Sequence, residues 1–268
     1  MSYAIKVEGR TYIMHLAQNR ASLSPNFTVF TYNDEGEVLV QQPYIRNDCY
    51  YQGVVEGIKD SVVALSTCSG LRGFLQTKIL NYGIQPIESS SSFQHLIYRI
   101  TDMDAEASMC GIKSDGIPLK LDGFNPTKYR TSPAIQAKKR YIEVVLVVDY
   151  EWYIHSKNET EIHKDMISII NQADAMYNQL NTDVMLLGLE IWTKESLINI
   201  AATSKKVLGY FSTWRDDHLR RRLHSDITVL VLKRKYGISI GLAYIGKICT
   251  RYLSVAFISS CFLLTTLL

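Results

Sequence analysis

Three things are scarce in this sequence: long apolar runs, net charge and histidine. The longest apolar run, VAFISSCFLLTTLL from Val255 to Leu268, is 14 residues, against the roughly 20 that a bilayer-spanning helix needs. It reads as a buried or divergent tail, so no membrane anchor is expected. The first stretch, MSYAIKVEGRTYIMHLAQNR, carries charges throughout and lacks the short apolar core of a signal peptide, so it reads as a pair of strands. With 29 basic and 26 acidic residues the net charge is only +3, which gives no reason to expect a nucleic-acid or nucleotide partner. Gly241 to Lys247 matches the GxxxxGK of a phosphate loop, but Ile248 stands where a magnesium-binding Ser or Thr belongs. The six histidines (His15, His95, His155, His163, His218 and His224) form no HExxH, and His155 and His163 are too far apart for one helix face. No nucleophile triad stands out.

Cysteine is also sparse and odd in number. Of Cys49, Cys68, Cys110, Cys249 and Cys261, at least one stays unpaired unless it meets another chain or a metal. Cys49 and Cys68 fall at strand edges, where they can pair, whereas Cys110 lies in the polar stretch ASMCGIKSDG outside any apolar pattern. Asn26-Phe27-Thr28 and Asn158-Glu159-Thr160 are glycan acceptors if the chain enters the secretory pathway, and Pro126 blocks Asn125-Pro126-Thr127.

At 47% hydrophobic residues, the chain has enough apolar surface for one large core or two modest ones. Three regions follow. Residues 1–117 are rich in strand signals: Asn26 to Gln41 alternates apolar and polar residues on both sides of Asn33-Asp34-Glu35-Gly36, a hairpin pattern that Val54 to Gln76 repeats. Residues 118–140 hold three of the six prolines and six basic residues against one acid, and read as a linker. It closes on Lys138-Lys139-Arg140, an exposed basic tract at a boundary where a processing protease reaches the backbone. Residues 141–258 begin with YIEVVLVVD, a β-branched run typical of strands buried on both faces. From Thr160, Ile162, Met166, Ile169, Ile170, Ala173, Met176, Tyr177 and Leu180 mark one apolar stripe of a helix. VMLLGLEIW, a helix marked by Val207, Leu208, Phe211, Trp214 and Leu219, and DITVLVL complete a strand–helix alternation. The expected fold is α+β overall: a mainly-β first domain, then an α/β layer with a mixed, largely parallel sheet, and a divergent tail at 259–268.

The blocks CYYQGVVEGIKDSVVALSTCSGLRGFLQ, YGIQPIESSSSFQHLIYRI, YIEVVLVVDYEWY, LGLEIWTKESLINI, VLGYFSTWRDDHL and GLAYIGKIC resemble the ADAM (disintegrin and metalloproteinase) proteins and their snake-venom relatives, the reprolysins, in the family's order. The resemblance runs from residue 2 to about Ile258. It implies a prodomain followed by the N-terminal part of a zincin-like zinc metalloendopeptidase domain. Met109-Cys110-Gly111 matches the family's cysteine switch, in which a prodomain thiolate occupies the open position on the catalytic zinc and excludes the nucleophilic water. Cleavage near Lys138, Lys139 and Arg140 is expected to release the prodomain. Gly241, Leu242 and Ala243 match the cleft-lining strand, Glu143 and Asp226 match ligands of a structural calcium, and Cys249 matches a cysteine whose usual partner lies downstream, which leaves it free or paired with Cys261. The family's HExxHxxGxxH is not in these 268 residues, so the chain is expected to be catalytically inactive and to hold no zinc stably. Two other readings follow from the same resemblance: a non-catalytic binding or adhesion protein of reproductive-tract type, and a prodomain fragment that inhibits a related metalloproteinase through Cys110. Protein substrates or cell-surface proteins are the implied partners, and the secretory pathway the implied location.

Overall fold

The computed structural model describes residues 1–87, 93–100, 138–156, 158–237 and 239–259. The leading strand pair forms: β1 (Ser2–Val7) and β2 (Arg10–Gln18) are an antiparallel hairpin closed by Glu8 and Gly9. Both turn residues have positive φ, 51° and 79°, as a tight two-residue turn that follows the right-handed strand twist requires. Along β2, Tyr12, Met14 and Leu16 are buried while Thr11, Ile13 and His15 face solvent, the period-two pattern of a half-buried strand.

The next hairpin, β3 (Leu23–Tyr32) and β4 (Val38–Gln41), has Asn33 at its turn, where the Asn33 side-chain oxygen accepts the Glu35 and Glu37 N–H groups at 3.0 and 2.8 Å. A meander follows: β5 (Tyr50–Val55), β6 (Val62–Ser66), β7 (Arg72–Gln76), β8 (Asn81–Pro86) and β9 (His95–Arg99). Its strand β6 is buried on both faces. Val63 and Leu65 pack with Met14, Leu75, Tyr82 and Ile84, whereas Val62, Ala64 and Phe74 pack under Ala175 of a helix from the later region.

In that later region β10 (Arg140–Val148) leads through α1 (Tyr150–Ser156) and α2 (Glu159–Tyr177) to β11 (Thr182–Ile191), then through α3 (Ser204–Trp214) to β12 (Ile227–Leu232). Beyond it lie β13 (Gly241–Ala243) and β14 (Val255–Ser259). The run in β10 is buried on both faces: Val144, Leu146 and Val148 face the core under α2, and Val145 and Val147 face the core under α3. β10 pairs in parallel with β11 and β12, and β14 in parallel with β12. β13 is an antiparallel edge.

Among the described residues the strands form two seven-stranded sheets, and their boundary differs from the expected one. The first has the order β1-β2-β5-β6-β7-β8-β9, the second β13-β14-β12-β10-β11-β3-β4. The β3–β4 hairpin thus leaves the N-terminal sheet and extends the second sheet. The reason is physical: β11 would otherwise offer a row of unpaired N–H and C=O groups beside an apolar surface. β3 covers it in parallel register, Gly188 with Thr28, Leu189 with Val29 and Glu190 with Phe30. Phe27 and Val29 enter the core under α2, and Phe30 the core under α3. At about 1.5–3 kcal/mol for each fully buried side chain, these three contribute several kcal/mol to holding the regions together.

The apolar stripe of α2 also departs from expectation at its end. Met176, Tyr177 and Leu180 are 44%, 44% and 70% exposed, because α2 stops at Tyr177 and the chain turns through Asn181 (φ 54°) into β11. The last turns bury Asn171 and Asp174 instead, both 1% exposed or less. The Asp174 carboxylate accepts the Val184 N–H at 2.7 Å, the Gln52 amide at 2.8 Å, the Asn19 amide at 2.9 Å and the Asn178 amide at 3.3 Å. Asn171 accepts from the Asn19 amide at 3.0 Å and donates to the Tyr51 carbonyl at 3.3 Å. A charge is tolerated at such depth only when its oxygens are saturated in this way.

Asp174→Ala strands the Val184 N–H and takes one acceptor from each of the Asn19 and Gln52 amides, which keep their bonds to Asn171; with an unmade buried bond costing about 1–3 kcal/mol, the loss in urea unfolding is expected to be roughly 3 kcal/mol. Leu180→Ala, on the exposed flank, is expected to stay within about 0.5 kcal/mol of wild type, and equal effects of the two variants would overturn this assignment of the helix end.

Candidate functional site

Cys110 and most of the expected linker lie outside the described residues. Lys138, Lys139 and Arg140 are exposed, but the backbone of Arg140 is already engaged. Its N–H donates to the Asn181 carbonyl at 3.1 Å, and β10 and β11 align Arg140 with Thr182 and Tyr141 with Asp183. The Lys139 ammonium pairs with the buried Asp183 carboxylate at 2.8 Å, which holds it above the ordinary lysine range. The tract read as open to a protease is therefore open in its side chains and tied in its backbone, because the strand begins at the last basic residue.

β13 places Gly241, Leu242 and Ala243 opposite Ile258, Phe257 and Ala256, at one end of the sheet order. A side chain at Gly241 would put its Cβ 2.8 Å from the Phe257 carbonyl oxygen, so the close approach of β13 to β14 requires glycine there. Among the described residues no strand pairs with its outer side, and an edge strand of this kind can take an extended peptide by backbone hydrogen bonding.

Glu143 and Asp226 are neighbours across β10 and the start of β12, yet the contact is a backbone clasp. Asp226 accepts the Glu143 N–H at 2.9 Å through one oxygen and the Cys249 thiol at 3.3 Å through the other, and its own N–H donates to the Glu143 carbonyl at 3.0 Å. Cys249 is a free, exposed thiol. Burial of its sulfur, then the Asp226 carboxylate, pushes its pKa up, so it stays protonated at neutral pH. Its expected alternative partner Cys261 lies outside the described residues. Cys49 and Cys68 are joined in a disulfide that ties the start of β5 to the segment after β6. Among the described residues, no three His, Cys, Asp or Glu side chains come together to hold a metal ion, and no helix is long and apolar enough to cross a membrane.

Both sequons face solvent. Asn26 lies where the pairing of β3 with β11 is irregular, between Leu23 and Thr28, and Asn158 is the N-cap of α2. The Asn158 Oδ1 accepts the Thr160 and Glu161 N–H groups at 3.0 and 3.4 Å, an arrangement that leaves the attachment atom Nδ2 outside the cap.

Sequence reasoning missed a buried polar cluster at the β3–β11 seam. Glu190 is fully buried and accepts the Tyr32 hydroxyl and a guanidinium nitrogen of Arg222, the latter at 2.9 and 3.1 Å. Arg222 lies over the Phe30 ring, 4.9 Å from its centroid. Burial raises the pKa of Glu190 while Arg222 and Tyr32 oppose the rise. The signal was present in VMLLGLEIW: a lone acid in a strand buried on both faces needs a partner. Asp149, also buried, accepts the Ser196 hydroxyl at 2.6 Å and the Glu151 N–H at 3.1 Å, and fixes the turn from β10 into α1.

Comparison with known proteins gives these parts an identity. The pattern of the reprolysin (M12B) family zinc metalloproteases matches residues 140–263, and that of the reprolysin family propeptide matches residues 1–56. Disintegrin and metalloproteinase domain-containing protein 9 of Homo sapiens is 40% identical over 259 residues, covering 94% of this chain and 32% of that protein. Disintegrin and metalloproteinase domain-containing protein 18 of Homo sapiens is 32% identical over 253 residues, covering 94% and 34%. The chain spans about a third of the length of these curated relatives. Among solved structures, metalloproteinase-II from Bacteroides fragilis aligns with 97% of this chain and 75% of that one at 10% identity, with a TM-score of 0.46.

Two measurements test the site. Trypsin is expected to cut after Arg140 in the folded chain at least about tenfold more slowly than in a peptide of residues 134–145, the factor given by roughly 1.4 kcal/mol of local opening. Asp183→Ala should narrow that gap, and equal rates in folded chain and peptide would remove the protection. In a secretory host, Thr160→Ala is expected to lose one glycan with unchanged stability, whereas Asn158→Ala should lose the glycan and about 1 kcal/mol of helix cap. Mass and thermal unfolding read both effects, and a wild-type chain without glycan at Asn158 sinks the assignment.

Proposed function

The chain belongs to the reprolysin (M12B) family, with the family's propeptide ahead of its metalloproteinase region, and on that premise we propose that these residues are the zymogen-side portion of a zinc metalloendopeptidase-like protein and have no peptidase activity by themselves. The observation that supports the reading is the shared second sheet, in which β3 and β4 of the propeptide region extend the edge of the metalloproteinase region. Propeptide and metalloproteinase regions are built to fold as one body, as a precursor form demands.

The residues present do not fit a catalytic zinc. The 268 residues contain no His-Glu-x-x-His, and the described donors form no cluster of three. Within the proposal, Cys110 is the switch thiol by its match to Met-Cys-Gly, Lys138 to Arg140 mark the processing region, and β13 is the edge along which a protein substrate or a cell-surface protein lies. A calcium held by Glu143 and Asp226, as the family resemblance implies, would have to share the Asp226 carboxylate with the Glu143 N–H and the Cys249 thiol. The disulfide between Cys49 and Cys68 and the two exposed sequons support folding in an oxidising secretory compartment.

The test is a peptidase assay of the purified full chain on fluorogenic peptides and an unfolded protein substrate, with added zinc. No turnover above background is expected. Zinc-dependent, chelator-sensitive hydrolysis that co-purifies with the folded chain would overturn the proposal.

A further inference from the structure

Three consecutive arginines follow α3, and the fold sends each a different way. Arg222 turns inward to Glu190, Arg220 reaches back to Asp216, and Arg221 is exposed. We propose that Arg220, Arg221 and Arg251, with the exposed Lys247 one turn before Arg251, form a binding site for a sulfated glycosaminoglycan at the C-terminal end of α3. The choice of a sulfated glycan rests on the secretory part of the reading above, whereas the cationic site stands on its own geometry.

One buried cation assembles the site. Past Trp214 the helix widens over Arg215–Leu219, and the Arg220 N–H donates to the Arg215 carbonyl five residues back, an irregularity that recurs at functional sites. Arg215 is 3% exposed and donates to the Thr228 hydroxyl at 2.8 Å, the Ser225 carbonyl at 3.2 Å and the Arg251 carbonyl at 2.8 Å. All three acceptors are neutral, so these bonds hold the guanidinium in place without cancelling its charge. Its bond to the Arg251 carbonyl, and that of the Ser212 hydroxyl to the Tyr252 carbonyl, fasten the turns before β14 against the end of α3. The Arg251 guanidinium thereby comes to rest over the Tyr252 ring, 5.0 Å from its centroid, and against Asp216.

Asp216 has more cations than it can serve. One of its oxygens accepts from Arg220 and from Arg251, both at 3.2 Å, and the other from Arg251 at 3.3 Å. An unshared charge-assisted bond is about 2.7–2.9 Å, so each arginine keeps donor capacity for another anion. A bland account of such a cluster is that arginines answer the dipole at a helix C-terminus, but that dipole amounts to only about half a charge. With Asp216 and the exposed Asp217 it leaves an excess from Arg215, Arg220, Arg221, Arg251 and Lys247. The near-balanced total of the chain conceals this excess, because the offsetting acids lie elsewhere. Half or more of the Arg251 side chain (59%) and a third of the Arg220 side chain (31%) face solvent. Their planar forks match the paired oxygens of a tetrahedral oxyanion. Nucleic acid offers similar oxygens, but the Cys49–Cys68 disulfide points to an oxidising compartment, where the polyanions met are sulfated glycans.

The experiment measures binding of a heparin dodecasaccharide to the purified full chain by titration calorimetry across a salt series. Saturable binding at physiological salt is expected, weakening with a log–log slope of about −2 to −3 as counterions are released from three or four contacts. Absence of binding there overturns the proposal. Arg221→Ser/Arg251→Ser is expected to bind at least about tenfold more weakly, with a slope flatter by at least about one. Lys6→Ser/Lys59→Ser removes the same charge from exposed positions of the N-terminal sheet and should stay within about twofold of wild type. Equal losses in the two variants would show attraction by net charge and refute the site. A desulfated dodecasaccharide, or single-stranded DNA of equal charge, that binds as tightly as heparin would refute the sulfated-glycan assignment. Should the Arg251 variant not fold, Arg221→Glu decides alone, since it breaks no hydrogen bond or ion pair among the described residues: weakened binding is expected, and unchanged binding overturns the site. Peptidase activity is not read in any arm, so a positive peptidase assay would sink the zymogen reading and leave this result standing.

Discussion

The carboxylate of Asp174 is the point on which the arrangement of this molecule depends. One oxygen takes the Val184 N–H of β11 after the turn from α2, and the other gathers amides from Asn19 and Gln52 in the N-terminal region. A charge in that position has no water to return to, so its ligands must arrive together. That single requirement sets where α2 ends, how β11 starts and how the N-terminal sheet lies across the helix. Asn171, one turn earlier on α2, repeats the demand with a neutral amide.

The second constraint is the treatment of sheet edges. The metalloproteinase region has two, and they are handled differently. On one side β11 is covered by β3, which carries apolar side chains to both faces of the sheet and brings Tyr32 to the buried Glu190. On the other side β13 is a short strand whose glycine lets it lie close to β14. A covered edge stabilises and an open edge recruits, so the fold separates the surface that holds the propeptide region from the surface suited to an extended peptide. This division also explains why the Lys138 to Arg140 tract is only half accessible: the start of β10 belongs to the same ladder, and Lys139 is anchored on Asp183.

Much of the fold was legible because its signals are local. The run of β10 announces a strand buried on both faces, the three- and four-residue steps from Ile162 to Ile170 announce α2, and the Asn33 loop announces the β3–β4 hairpin. The family was legible too, since ordered blocks of sequence carry it and the matches at residues 1–56 and 140–263 agree with them. Less of the candidate site was. Glu143 and Asp226 do meet, but in a clasp closed by backbone N–H groups and a thiol. The type of residue was readable there, and the direction in which its lone pairs point was not.

The sequence by itself determined the elements, the order of propeptide and metalloproteinase regions, the odd cysteine count and the two sequons, because each depends on residues close together in the chain. Only the tertiary structure decided which sheet β3 and β4 join, since an alternating hairpin states that one face is buried and says nothing about what buries it. It also decided that Met176, Tyr177 and Leu180 lie outside the core while Asn171 and Asp174 lie inside it. In a helix taken alone the apolar residues have the stronger claim to the interior. Amides from Asn19 and Gln52, over a hundred residues away, reverse that order by saturating the polar groups, and no local pattern can report a partner so distant.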